Sequence, residues 1–553
     1  MKKRRFGLDF WSIVTIGILI TFGLFLIYPL VSLFIDGFLA EETGKFTLNH
    51  FIRFFTKKYY YRSLINSLKL TACVTVCSLV IGVPLAYFMS FFKIRGKGIL
   101  EILIIISMMS PNFIGAYSWI LMLGRSGLVT TFLREMFGIN LPSIYGFGGM
   151  LLVFSLKLYP FIYMYVSGAI KKIDVAVYEA AESLGCHGVR IVSTVVLPLV
   201  TPTAVASALM VFMNCMADFG TPALIGEGYD VLPTKIYIEF VGESGGSAHF
   251  ASAMAMLMIV ITATLYLLQK YYVNKKSFTM SSMRPVQPSK LSGPRNVLMH
   301  AFIYVLVAMS IIPQAVVVWT SFRKTEVQYF VEGYSLDSYR KIFSTALSSI
   351  KNTYLYCFIA LIIIIVLGML IAYLSVRRRN TVTNLIDTLA MFPYIVPGSV
   401  LGITLLLAFN GKGDPFILSG TALIIIVSLV IRRLAYTLRS SSAILYQISP
   451  SVEEAAISLG DTPMRAFVKV TVKMMMPGVV SGAVLSWITL INELSSSVML
   501  YTASTRTMSV AIYNEVIRAS YGTAAALASI LTATTVISLV AFFKISGSKD
   551  VTI

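Results

Sequence analysis

Long apolar runs recur along the whole chain, separated by short polar stretches, and roughly 20 apolar residues suffice to carry one helix across a bilayer. The pattern predicts twelve spans. Six lie near 11–35, 66–92, 99–123, 146–170, 195–217 and 250–272, and six near 297–320, 353–376, 384–409, 419–438, 476–500 and 522–544. The stretches 195–217 and 476–500 carry proline or polar residues and are weak as isolated spans. Inside a bundle, neighbouring helices can satisfy the backbone groups such residues release. The opening run, Trp11 to Ile35 behind Lys2, Lys3, Arg4 and Arg5, exceeds the apolar core of a cleaved signal peptide, so a retained first span is expected. The predicted fold class is an all-α polytopic membrane protein of about twelve transmembrane helices.

Composition agrees. Of 553 residues, 57% are hydrophobic and 13% charged, against the quarter or so charged that a soluble domain carries. The net charge of +20 does not imply nucleic acid, because the basic residues cluster in connections between apolar runs, as topology signals do. With both termini on the cytoplasmic side, the connections sharing their compartment hold more than half of the 45 basic residues, counting the whole 432–473 stretch among them. The basic, Ser- and Pro-containing stretch 274–296 is the expected linker, dividing the chain into 1–290 and 291–553. Five cysteines (Cys73, Cys77, Cys186, Cys215, Cys357) and four scattered histidines form no metal-ligand spacing, and no nucleophile–base constellation stands out. No metal site and no catalytic residue are expected.

Polar, Gly and Pro landmarks repeat in order. Asn66-Ser67 meets Asn352-Thr353, Ala86-Tyr87 meets Ala372-Tyr373, and Pro111 meets Pro397, all at a shift of 286. Further on, Ser183-Leu184-Gly185 meets Ser458-Leu459-Gly460 and Pro202 meets Pro477 at 275, and Ile236-Tyr237 meets Ile512-Tyr513 at 276. Chance apolar similarity would not reproduce these. Six spans per repeat, an even number, insert both copies in the same sense, giving parallel repeats about an axis along the membrane normal.

One polar motif occurs twice between spans. The first copy reads Tyr178-Glu179-Ala180-Ala181-Glu182-Ser183-Leu184-Gly185 and continues to Pro198 and Pro202; the second reads Glu453-Glu454-Ala455-Ala456-Ile457-Ser458-Leu459-Gly460 and continues to Pro477. Glu and Ala favour helix, the glycine supplies a left-handed cap, and two alanines leave a low face that another protein can approach. The motif resembles the EAA signature of binding-protein-dependent ABC importer permeases, and nearly the whole chain resembles two type I permease halves fused in one polypeptide. The resemblance implies that Glu179, Ala180, Ala181 and Gly185 form one ATPase-coupling site in loop 178–202, and Glu454, Ala455, Ala456 and Gly460 the other in loop 452–477. It implies two cytosolic ATPase subunits, an extracytoplasmic substrate-binding protein and a multi-pass location in a bacterial inner membrane. The second copy departs distally, with Lys473 where the first has Pro198. No GxxxxGK[ST] loop is present, so ATP and Mg are expected on the partner, with no cofactor held by this chain and no enzymatic activity of its own.

Among fused permeases the pattern most resembles those for ferric iron, with thiamine and aminoethylphosphonate permeases as alternatives. Asp218 and Glu493, matched at 275, are candidates for the translocation pathway, with Asn214 and Asn492 beside them. Intramembrane carboxylates usually face a cavity or a partner. They could favour a cation from two sides of the axis, or each could cap a broken helix or pair with a local base. The rival from another class is an ion-coupled secondary transporter, which gives no reason for two EAA loops.

Overall fold

A computed structural model describes residues 9–109, 111–242, 247–275, 288–326, 329–411 and 416–546. Among them, nine helices are long and apolar enough to cross a membrane, and eleven if each of two bent pairs is one span. In chain order, span 1 is Phe10–Gly37, span 2 Lys58–Phe91, span 4 Phe147–Ile170, span 5 Val192–Ala217 and span 6 Ala248–Leu268. Span 7 is Pro294–Thr320, span 8 Leu347–Arg377, span 11 Pro463–Ile491 and span 12 Tyr521–Ala541. The bent pairs are span 3, Lys97–Met108 with Phe113–Phe137 at 101°, and span 9, Thr381–Tyr394 with Gly398–Ala408 at 111°. Both breaks fall at the repeated prolines: Pro111 and Pro397 each precede the second limb. Proline lacks the N–H a continuing helix needs and pushes the residue before it out of the helical region.

Ala422–Gln447 completes the twelve. Its 26 residues reach about 39 Å at 1.5 Å each, enough to cross. Arg432, Arg433 and Arg439 make it less apolar than the others. Arg432 and Arg433 therefore sit within span 10, not in a loop, and they leave the tally of basic residues that orient the chain. Two other expectations change. The span predicted over 476–500 ends at Ile491, and residues 492–496 break the chain before a short helix Ser497–Leu500. An antiparallel hairpin, Arg323–Glu326 with Tyr329–Tyr334, adds strand to a helical fold and rests on the start of span 12, where a Cβ on Gly522 would lie 2.7 Å from Thr325 Cγ2. Of the linker 274–296, residues 276–287 lie outside the described residues.

Spans 2, 4 and 5 pack on one another, as do their counterparts 8, 10 and 11. Small residues permit the approach. A Cβ on Gly82 would fall 2.6 Å from Ile162 Cβ, and one on Gly482 would fall 2.7 Å from the Thr437 backbone. The first span of each half crosses over. Span 1 packs against span 6 of its own half and against spans 8 and 9, and span 7 against span 12 of its own half and against spans 3 and 4. Trp11 of span 1 stacks on Tyr373 of span 8 with ring centroids 4.2 Å apart.

The repeated Asn-Ser and Asn-Thr pairs also acquire a role. Ser67 Oγ accepts the N–H of Leu232 at 2.8 Å, and Thr353 Oγ1 accepts that of Met508 at 2.7 Å. Leu232 and Met508 open the matched short helices Leu232–Val241 and Met508–Ile517, which lie between the last two spans of each half. Asn66 Nδ2 donates to Asp230 O at 3.0 Å, and Asn352 Nδ2 to Ser504 O at 2.9 Å. Each pair therefore ties the start of a long span to the loop before a short helix.

Candidate functional site

Both EAA motifs form short helices between spans, Val175–Ser183 and Pro450–Ser458. Asp174 caps the first, its Oδ1 accepting the Ala176 N–H at 2.9 Å, and Ser449 caps the second through Ser451 N–H at 3.4 Å. The two ends are built alike. Gly185 at φ +82° and Gly460 at φ +99° adopt the left-handed conformation, and the next residue donates back five positions, Cys186 to Ala181 at 2.9 Å and Asp461 to Ala456 at 3.1 Å. This is the glycine-closed helix end that stops a helix sharply. After each, the chain passes a five-residue π turn, Val192–Val196 or Phe467–Thr471, into the following span. Lys473 in place of Pro198 leaves that path unchanged.

Glu179, Ala180, Glu454 and Ala455 are exposed, Ala181 is buried, and Ala456 is half-buried. The two glycines orient the most prominent feature of each helix, a solvent-exposed leucine: Leu184 is 85% and Leu459 90% exposed. Sequence reasoning passed over both leucines, although they sit inside the repeated Ser-Leu-Gly. The bases of the two helices differ. Glu453 accepts from Tyr373 Oη and, at 3.2 Å, from Thr471 Oγ1, which ties the second helix to span 8 and to the span that follows. At the matched position of the first helix, Tyr178 packs its ring 5.8 Å from that of Phe91.

Asp218 and Glu493 follow spans 5 and 11 at the points where the chain breaks. Glu493 is buried and accepts from Arg432 Nη1 and Arg433 Nη2, from Ser496 N–H at 3.1 Å and from Ser496 Oγ at 3.3 Å. Asp218 Oδ1 accepts the Thr221 N–H at 2.8 Å. Lys157 of span 4 interacts electrostatically with Asp218 and donates to the carbonyls of Ser107 at 2.7 Å and Met108 at 3.0 Å, at the end of the first limb of span 3. A cation there also suits the helix C-terminus. Lys157 and Arg432 stand 275 apart, as Asp218 and Glu493 do, so each half contributes one base and one acid to a duplicated pair. Arg433 is an addition of the second half. The shift that matched the acids would also have found Lys157 and Arg432.

The two pairs adjoin. Arg432 lies within electrostatic reach of Asp218, a Cβ on Gly220 would fall 3.1 Å from Leu494 Cδ2, and the rings of Phe219 and Tyr513 are 6.0 Å apart. The acids thus sit where the halves meet, each compensated by a base. Of the two asparagines, Asn214 donates to Met210 O at 2.9 Å within its own helix, and Asn492 ends span 11. At Glu493 two guanidiniums share one carboxylate.

Two parallel six-span bundles, with matched polar helices projecting from one end and a charge cluster where the bundles meet, define a multi-pass membrane permease. The family described as the inner membrane component of binding-protein-dependent transport systems matches the chain twice, over residues 79–277 and 364–547, and the chain belongs to that family. A ferric transport system permease protein of Actinobacillus pleuropneumoniae is 30% identical over 527 residues, covering 94% of this chain and 76% of the relative. A putative ferric transport system permease protein of Haemophilus influenzae is 29% identical over 502 residues, covering 90% and 78%. A putative 2-aminoethylphosphonate transport system permease protein of Salmonella typhi is 25% identical over 247 residues, 44% of this chain and 84% of the relative, so it matches about one half. The chain is therefore a fused, two-half ABC importer permease of a bacterial inner membrane.

Proposed function

We propose that this chain carries ferric iron, delivered by an extracytoplasmic binding protein, across the membrane at the expense of ATP hydrolysed by two cytosolic ATPase subunits. The observation that carries the coupling half of this reading is the pair of matched helices with exposed Leu184 and Leu459. An exposed leucine at the glycine-closed tip of a short helix is suited to a groove on a partner, and two such tips suit two partner subunits. Glu179, Ala180, Ala181 and Gly185, with Glu454, Ala455, Ala456 and Gly460, are assigned to these contacts. Ala181 and Ala456 give their helices the closely packed side, and the two glycines aim the leucines. Both termini are placed on the side of the coupling helices, since an even number of spans separates them from those loops; Asp9, paired with Arg378 at 3.7 Å, agrees. ATP and Mg belong to the partner, and this chain holds no cofactor.

Iron as cargo is supported by relatives that match nearly the whole fused chain, whereas the aminoethylphosphonate relative matches one half. Asp218, Glu493, Asn214 and Asn492 are assigned to the region of the pathway. The carboxylates there do not act as free cation ligands. A cation would reach the Glu493 oxygens only by displacing the two guanidiniums bound to them. The test is uptake of labelled iron into proteoliposomes holding the chain, ATPase subunits and loaded binding protein. ATP-dependent accumulation supports the reading, while uptake driven by an ion gradient without the ATPase would refute it.

A further inference from the structure

Two guanidiniums, Arg432 and Arg433, share the single carboxylate of Glu493, and both are groups suited to oxygen anions. Arg432 and Arg433 keep 13% and 18% of their side chains exposed, so they border open space as well as Glu493. The hydrogen bonds they make to Glu493 engage one nitrogen each, out of five donors per guanidinium. The Arg433 Nε is buried with no hydrogen-bond partner. So are the hydroxyls of Ser428, one turn before Arg432 on span 10, and of Ser399, which follows Gly398. A Cβ on Gly398 would fall 2.0 Å from Arg432 Nη1, so the absence of a side chain there makes room for the guanidinium. Tyr394 and Tyr436 lie edge to face with centroids 5.7 Å apart; both interact with Arg433, and Tyr165 of the first half reaches the same pair. Guanidinium forks and phenol hydroxyls together match the oxygens of a phosphate or a carboxylate.

We propose that the cargo crosses this centre as an oxyanion complex of ferric ion, phosphate or carboxylate oxygens being received by Arg433 and Arg432, and not as a bare cation. The inference rests on the ferric reading above and adds what accompanies the metal. A hard trivalent ion favours oxygen donors, and oxyanions bound to it lower or reverse the charge that the two guanidiniums repel. Glu493 then has a second function. By holding both guanidiniums in the resting state it keeps them ordered and only partly neutralised, so an arriving oxyanion competes for donors already in place.

The experiment uses the full transporter in proteoliposomes, with binding protein loaded with labelled iron in three arms: labelled phosphate, labelled citrate, or neither oxyanion. The expected result is ATP-dependent entry of iron together with one of the labelled anions in a fixed ratio, and slower entry in the third arm. Arg433→Gln should lower joint uptake about tenfold or more, the loss of one charge-assisted hydrogen bond, while Arg433→Lys, which keeps the charge, should lose less. ATPase stimulation by loaded binding protein reports that each variant is assembled. Iron entering at equal rates in all arms without labelled anion overturns the inference and leaves the ferric reading standing. No iron entering in any arm, with ATPase still stimulated, overturns both.

Discussion

Replacing Glu493 with glutamine leaves two guanidiniums facing each other inside the membrane-spanning region with their shared acceptor neutralised. The wild-type carboxylate is 3% exposed and receives both arginines, the Ser496 N–H and the Ser496 hydroxyl. Removing one partner of a buried ion pair typically costs about 3–5 kcal/mol. Glutamine keeps the shape and one carbonyl acceptor, which places Glu493→Gln near the lower end, about 3 kcal/mol, a large share of the roughly 5–15 kcal/mol that holds a typical protein folded. Removing all three charges should do less harm. The triple variant Glu493→Leu, Arg432→Leu and Arg433→Leu should recover to within about 1 kcal/mol of wild type, because replacing a whole buried ion pair with apolar groups is often neutral. The chain supplies its own reporter, since Cys215 and Cys357 are buried free thiols that a thiol-reactive dye reaches only on unfolding. Dye-monitored thermal unfolding in detergent measures all three forms. If Glu493→Gln unfolds within about 0.5 kcal/mol of wild type, or if the triple variant is no better than the single one, the reading of this cluster as a coupled buried charge group is wrong.

Leu184→Asp and Leu459→Asp should leave thermal stability within about 0.5 kcal/mol, because both side chains are solvent-exposed, yet each should weaken co-purification of ATPase subunits and the double variant should abolish it. Gly460→Ala should destabilise the helix end by about 1 kcal/mol, since alanine tolerates φ +99° poorly, and should reduce transport per ATP hydrolysed. Ser67→Ala and Thr353→Ala each leave the first N–H of a short helix without its acceptor and should cost about 1–3 kcal/mol in dye-monitored unfolding, adding in the double variant because the two sites share no partner.

Elements that depend on local pattern were legible in the sequence. Nine spans followed from apolar length, whereas 99–123 and 384–409 were expected as unbroken spans; the paired prolines at 111 and 397, noticed only as repeat landmarks, mark the bends of 101° and 111°. The bend depends on what the second limb packs against, which no local pattern records. Span 10 was read to 438, short of its last turns, and Arg432 and Arg433, which lie inside that range, were nonetheless counted with the bases of the following connection, because nothing local shows that Glu493 lies beside them. That partner is 60 residues away in sequence, beyond any window. The coupling helices were visible as motifs, but their exposed leucines were not, since exposure depends on how the glycine-closed end turns the chain. The Asn-Ser and Asn-Thr pairs were noticed as landmarks without a purpose; their partners lie more than 150 residues downstream.

The exchange of opening spans between the halves bears on how the molecule is made. Span 1 is synthesised first, but its partners in the other half, spans 8 and 9, emerge only after more than 300 further residues. Span 6 of its own half meets its later turns, but until spans 8 and 11 emerge the end that carries Trp11 lacks the Tyr373 and Phe467 rings it packs on. A chain stopped after residue 290 would keep that vacancy and would also leave spans 3 and 4 without span 7 to cover them. Two separately translated halves, by contrast, could complete each other. The interlock belongs to the pair of bundles, and the covalent join mainly ensures that both are always delivered together.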